Sequence, residues 1–117
     1  MTPLDPQILH GMARDWLTRR AAELRTEIGD ATQLEAVNGH EVVDRKDEAD
    51  ATLQRDVASA EVERDLAELR AVQAALKRLD DGSWGRCADC EEPIDPRRLA
   101  VQPAALRCAA CQARREA

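Results

Sequence analysis

Phenylalanine and tyrosine are absent from this 117-residue sequence, and Trp16 and Trp84 are its only aromatic residues. With only two aromatic rings the chain has little platform for stacking the bases of single-stranded nucleic acid. It also has little with which to build a large core. Apolar residues make up 44% of the chain, but alanine supplies much of that share, and alanine favours helix while burying little surface. A chain of this size then needs a further source of stability, such as a metal. Excess positive charge is missing too. The net charge is −6, which excludes broad attraction to DNA or RNA phosphates. No hydrophobic run reaches the length of a membrane span. Met1–Gly11 has neither a basic n-region nor an apolar h-region, so no leader peptide is expected and the cytoplasm is the predicted location. A nucleophile–base pair, a glycine-rich phosphate loop and a metal-hydrolase motif are all lacking, so the chain is not expected to be an enzyme.

What is present is helical periodicity. Residues 1–7 read as a short cap, in which Thr2 or Asp5 can serve as N-cap and Pro3 or Pro6 as a first-turn residue. From about residue 8 to residue 37 there is no proline. Leu9, Met12, Trp16, Leu24, Ile28, Ala31 and Leu34 recur mostly at steps of three, four and seven. Asn38-Gly39 is the clearest stop signal. A second helix is predicted to start between Asp44 and Asp47 and to run to about Asp80. Val62, Leu69 and Leu76 are seven apart, and Val72 and Leu79 each follow by three, giving an a/d seam. Asp80-Asp81-Gly82 ends it. Two helices of about 30 residues with a short connection predict a mainly α chain built on a long antiparallel hairpin over residues 8–80, with an acidic tip near 40–50. The same seam would serve a parallel dimer. The central Asn-Gly break and the matched lengths of the two halves favour the hairpin, and thus a monomer.

Residues 81–117 differ in character and hold all four cysteines. Cys87 and Cys90 form one Cys-x2-Cys pair and Cys108 and Cys111 another, separated by 17 residues. In a reduced compartment this spacing indicates metal rather than disulfides. Zn²⁺ takes four tetrahedral thiolates, and four protein ligands close its shell, so one structural zinc is predicted rather than a catalytic one. Arg86, Arg97, Arg98 and Arg107 lie close enough in sequence to offset the net −2 of a zinc tetrathiolate, or equally to form a solvated surface. A short final helix is expected from about Cys108 to Arg115. Trp84, beside the first pair, is expected to pack this module against the base of the hairpin, and Trp16 to be a packing residue. His10 and His40 read as solvated residues rather than ligands.

Residues 41–50 contain five acidic side chains. Asp44 and Asp47 are three apart and would share one side of a first helical turn, where they complement the helix dipole. From physics alone, ordinary capping accounts for them.

Three blocks together resemble the DksA/TraR family of bacterial transcription regulators. Residues 80–90, from Asp80-Asp81-Gly82 through Cys90, resemble the entry to the family's zinc finger. Ile94-Asp95-Pro96-Arg97-Arg98-Leu99, with Pro103 and Cys108-Ala109-Ala110-Cys111, resembles the rest. Asp44-Arg45-Lys46-Asp47-Glu48-Ala49 matches the family's Asp-x-x-Asp-x-Ala motif at the coiled-coil tip. The resemblance covers roughly residues 8–115. It implies direct binding to RNA polymerase without DNA contact, and insertion of the coiled coil into the secondary channel. It also implies a functional tip of Asp44, Asp47 and Ala49, and a polymerase contact at Arg64. Where the family's ppGpp-responsive members carry basic residues, this chain has Ala71, Gln102 and Gln112, so a weak or absent response to ppGpp is expected. Relative to the larger members, the segment before the hairpin and the C-terminal helix are short, which bears on affinity for polymerase.

Two other functions fit parts of the sequence. A zinc-ribbon nucleic-acid binder would need a basic face. A structural or redox-sensing zinc protein would release its metal when the thiolates oxidise.

Overall fold

The computed structural model of the chain describes residues 5–38 and 48–117, with side chains over 5–31 and 57–117. The chain is mainly α. Its helices are α1 (Pro6–Asn38), α2 (Glu48–Asp81), α3 (Pro96–Val101) and α4 (Ala109–Glu116). The described residues contain no strand, only an isolated antiparallel bridge between Arg86 and Pro93. The chain divides into two compact units: one joins the residues up to Ala21 to Ala71–Ala117, and the other is Ala22–Arg70.

In the first unit, α1 starts after Asp5, the second of the two N-cap candidates in the sequence. Asp5 Oδ1 accepts from the Gln7 backbone N–H at 2.9 Å, and Pro6 opens the helix. The two long helices run antiparallel here. Arg14 of α1 pairs with Asp80 of α2 at 2.9 Å. One turn back along α1, the His10 ring meets Trp84, which lies just past the end of α2. Leu9, Ala13, Leu17 and Ala21 of α1 are buried, as are Val72 and Ala75 of α2. Met12 and Trp16, assigned to the packing stripe from periodicity, are instead 60% and 40% exposed. The buried stripe runs one position further on, through two alanines. Small side chains let the two backbones approach, so alanine fills core positions that large residues would fill in a wider interface. Met12 and Trp16 line an open groove with Leu99, Val101 and Pro103.

α2 ends in a Schellman turn. Gly82 takes φ +85°, and the Ser83 and Trp84 N–H groups both donate to the Arg78 carbonyl, at 3.0 and 3.2 Å. Ser83 also donates its hydroxyl to Asp81 Oδ1 at 2.6 Å and its N–H to the same oxygen at 2.9 Å. The Ser83 hydroxyl bond, followed by its backbone bond, holds the Asp81 carboxyl below its ordinary range.

In the second unit, Leu24 is fully buried on α1. Val62, Leu66 and Leu69 of α2 are half-buried. Among the predicted seam residues only Val72, in the first unit, is completely buried. The seam is thus shallower than its heptad spacing suggests.

Candidate metal centre

The first cysteine pair sits in a tight turn that its local sequence dictates. Gly85 takes φ +90°, a conformation that disfavours any side chain, and its carbonyl accepts from Ile94 N–H at 2.7 Å. Cys87 N–H donates to the Glu92 carbonyl at 2.9 Å, and Glu91 N–H returns to the Cys87 carbonyl at 3.0 Å. Glu91 takes φ 64° to close the loop. The result aims Cys87 and Cys90 at one point. The second pair is placed by α4. Cys108 is its N-cap residue and Cys111 lies one turn on, so both sulfurs face the same side. The Ala88 N–H joins the two halves by donating to the Leu106 carbonyl at 3.0 Å.

α3, which the sequence reading missed, spans the connection. Asp95 caps it by accepting from the Arg97 N–H at 2.9 Å, and Pro96 takes its first position. Leu99 of α3 is buried beside Gly85. The Trp84 indole N–H donates to the Pro103 carbonyl at 2.8 Å, and its ring meets His10 edge-on with centroids 4.8 Å apart. Trp84 therefore ties the cysteine module to the base of α1, as its position suggested. His10 is exposed, yet it lies on a helix against this indole rather than in a solvated loop.

The four sulfurs lie within 4.8 Å of one another. The Cys90 and Cys108 sulfurs are 3.8 Å apart. A zinc tetrathiolate with arms of about 2.3 Å has sulfur–sulfur edges of about 3.8 Å, so the donor set fits this ion in number, type and spacing. The thiol chemistry also demands a cation. Hydrogen bonds from the Cys90 and then the Cys108 backbone N–H groups pull the Cys87 thiol down to about 6. The neighbouring Cys108 thiol and burial push Cys111 up to about 12. The sulfur cluster thus favours a thiolate at Cys87 and disfavours one at Cys111, a penalty that a cation among the sulfurs would offset. The centre holds one structural zinc.

Each of the four arginines near the cysteines in sequence has a hydrogen-bonding partner other than a sulfur. Arg86 donates to the Glu91 carbonyl and Arg98 to the Arg107 carbonyl. Arg97 pairs with Asp95, and Arg107 with Asp89. Among the described residues, Arg114 comes within reach of a sulfur, with its Nη2 3.6 Å from Cys111 Sγ. Spacing along the chain could not identify it, because α4 turns it back onto the cluster.

Asp44 and Asp47 lie outside the described residues. Ala49 lies in the first turn of α2, and Arg64 is exposed on the same helix within the second unit. Ala71 and Gln102 are exposed, and Gln112 donates to Glu116 at 2.8 Å. No helix among the described residues is long and apolar enough to cross a membrane.

Residues 82–117 match the model of the prokaryotic dksA/traR C4-type zinc finger. The RNA polymerase-binding transcription factor DksA of Haemophilus influenzae is 32% identical over 88 residues, covering 73% of this chain and 61% of the relative. The chain thus spans about three fifths of the length of that curated relative. The structure of transcription factor DksA2 from Pseudomonas aeruginosa superposes with a TM-score of 0.83 at 29% identity, covering 95% of this chain and 85% of that one.

Proposed function

The chain belongs to the DksA/TraR family, and on that premise we propose that it is a transcription regulator that binds RNA polymerase directly. It inserts the acidic segment between α1 and α2 into the secondary channel and changes the stability of the open complex. Asp44, Asp47 and Ala49 form the active tip, Arg64 contacts polymerase, and the zinc module holds the base of the helices. It acts as a monomer, without catalytic activity, without contacting DNA and with little response to ppGpp. The observation that most supports this reading is the likeness to DksA2 over 95% of the chain, which includes both long helices as well as the metal module. Net charge and arginine placement weigh against a nucleic-acid ribbon. The chain carries −6, and the six arginines between Arg86 and Arg115 all engage a carboxylate, a carbonyl or a sulfur.

The test is an open-complex lifetime assay with polymerase from the same organism. The wild type is expected to shorten the lifetime. Asp44→Asn/Asp47→Asn is expected to bind with unchanged affinity and to lose that effect. Equal shortening by both proteins would remove the tip from the mechanism.

A further inference from the structure

The residue before Cys90 is Asp89, and the residue before Cys108 is Arg107. The two cysteines stand on opposite halves of the module, with sulfurs 3.8 Å apart. Their neighbours are joined as well. Arg107 Nε donates to Asp89 Oδ2 at 2.9 Å, and Arg115 Nε of α4 approaches the same oxygen at 3.5 Å. The Arg107 side chain is 18% exposed and that of Asp89 34%, so the pair is partly open to solvent and within reach of screening by salt. Asp89 thus adjoins a ligand in the chain and reaches the opposite half of the module through its side chain.

We infer that Asp89 is a positioning residue for the metal centre. By accepting from Arg107 and Arg115, it clasps the Cys87–Cys90 turn to the segment entering Cys108 and to α4, holding the four sulfurs at zinc spacing and slowing loss of the ion. Cys90 is the exposed ligand of the four, and the clasp sits directly beside it. Dissociation of a closed tetrathiolate begins with one sulfur leaving, and the most accessible sulfur is the natural first step. Neither Asp89 nor Arg107 contacts the metal. Their effect runs through the position of the ligands, as outer partners of metal sites commonly act. The inference concerns the metal module and does not depend on polymerase binding.

The experiment follows zinc transfer from the loaded full-length chain to an excess of chromogenic chelator. Asp89→Asn, which removes the contacts to both Arg107 and Arg115, is expected to speed transfer roughly tenfold, Arg107→Gln by less, and the double variant to be no faster than Asp89→Asn alone. Raising the ionic strength from about 0.05 to about 0.5 M should speed release from the wild type and leave Asp89→Asn unaffected. Arg97→Gln, which breaks an ion pair with an 87% exposed arginine side chain, should release zinc at the wild-type rate. Unchanged release by Asp89→Asn, or additive effects in the double variant, overturns the clasp. If the single variants fail to fold, the wild-type salt dependence decides alone: a salt-independent rate overturns it too.

Discussion

Removing zinc with a strong chelator is expected to unfold residues 82–117 and shift the Trp84 fluorescence to that of a water-exposed indole. The buried residues of that segment are Trp84, Cys87, Ile94, Leu99, Pro103 and Cys111. Two of these six are ligands, and α1 adds the His10 contact to Trp84 and one wall of the groove shared with Leu99, Val101 and Pro103. Structural zinc supplies roughly 10 kcal/mol or more in comparable peptides, which is on the scale of the whole stability of a small domain. Cys87→Ser and Cys111→Ser should reproduce the effect in zinc-containing buffer. Acidification should as well. All four sulfurs bind as thiolates, so falling pH protonates ligands and releases metal, and the stability carried by zinc is present at neutral pH and lost on the acid side. Trp84 is 5% exposed and Trp16 40%, so the emission change reports chiefly on Trp84. Unchanged emission after complete zinc removal would show that the module stands without its metal.

Trp84→Ala is expected to cost about 3–5 kcal/mol, the usual range for deleting a large buried aromatic side chain. The indole contributes in three ways: it is buried, it donates to the Pro103 carbonyl at 2.8 Å, and its ring stacks edge-on with His10. Trp84→Phe separates these. It keeps most of the apolar surface but removes the donor, leaving the Pro103 carbonyl unsatisfied at a cost of about 1–3 kcal/mol. Denaturant unfolding of the zinc-loaded protein measures both. If Trp84→Phe is as damaging as Trp84→Ala, the hydrogen bond rather than apolar packing accounts for the loss.

The metal centre was legible in the sequence because its information is local. Two Cys-x2-Cys pairs fix ligand number, type and spacing, and no tertiary detail is needed to see them. Helix ends were legible for the same reason: Asp5-Pro6 and Asp81-Gly82 are capping signals within a few residues. The buried face of α1 was not. Periodicity marked Leu9, Met12 and Trp16, whereas the helix buries Leu9, Ala13, Leu17 and Ala21. Large residues draw the eye, but the close approach of two helices selects small ones, and only packing reveals which stripe faces inward. α3 was missed although Asp95-Pro96 is itself a cap followed by a first-turn proline. At six residues the helix is too short to show a period. Arg114 and the Asp89 clasp were invisible for a third reason: each depends on segments about 18–26 residues apart along the chain meeting at the cysteines, or on a helix returning to its own start. The proposed tip rests on the resemblance alone, since Asp44 and Asp47 by themselves read as ordinary dipole-compensating residues.

The measurement that tests the central claim most directly is association of the zinc-loaded chain with RNA polymerase from its own organism, titrated in solution. The account predicts saturable binding with a dissociation constant of about 1 μM or tighter, unaffected by Asp44→Asn/Asp47→Asn and weakened roughly tenfold by Arg64→Ala. No saturable binding at that concentration, with zinc content and helicity intact, would contradict it.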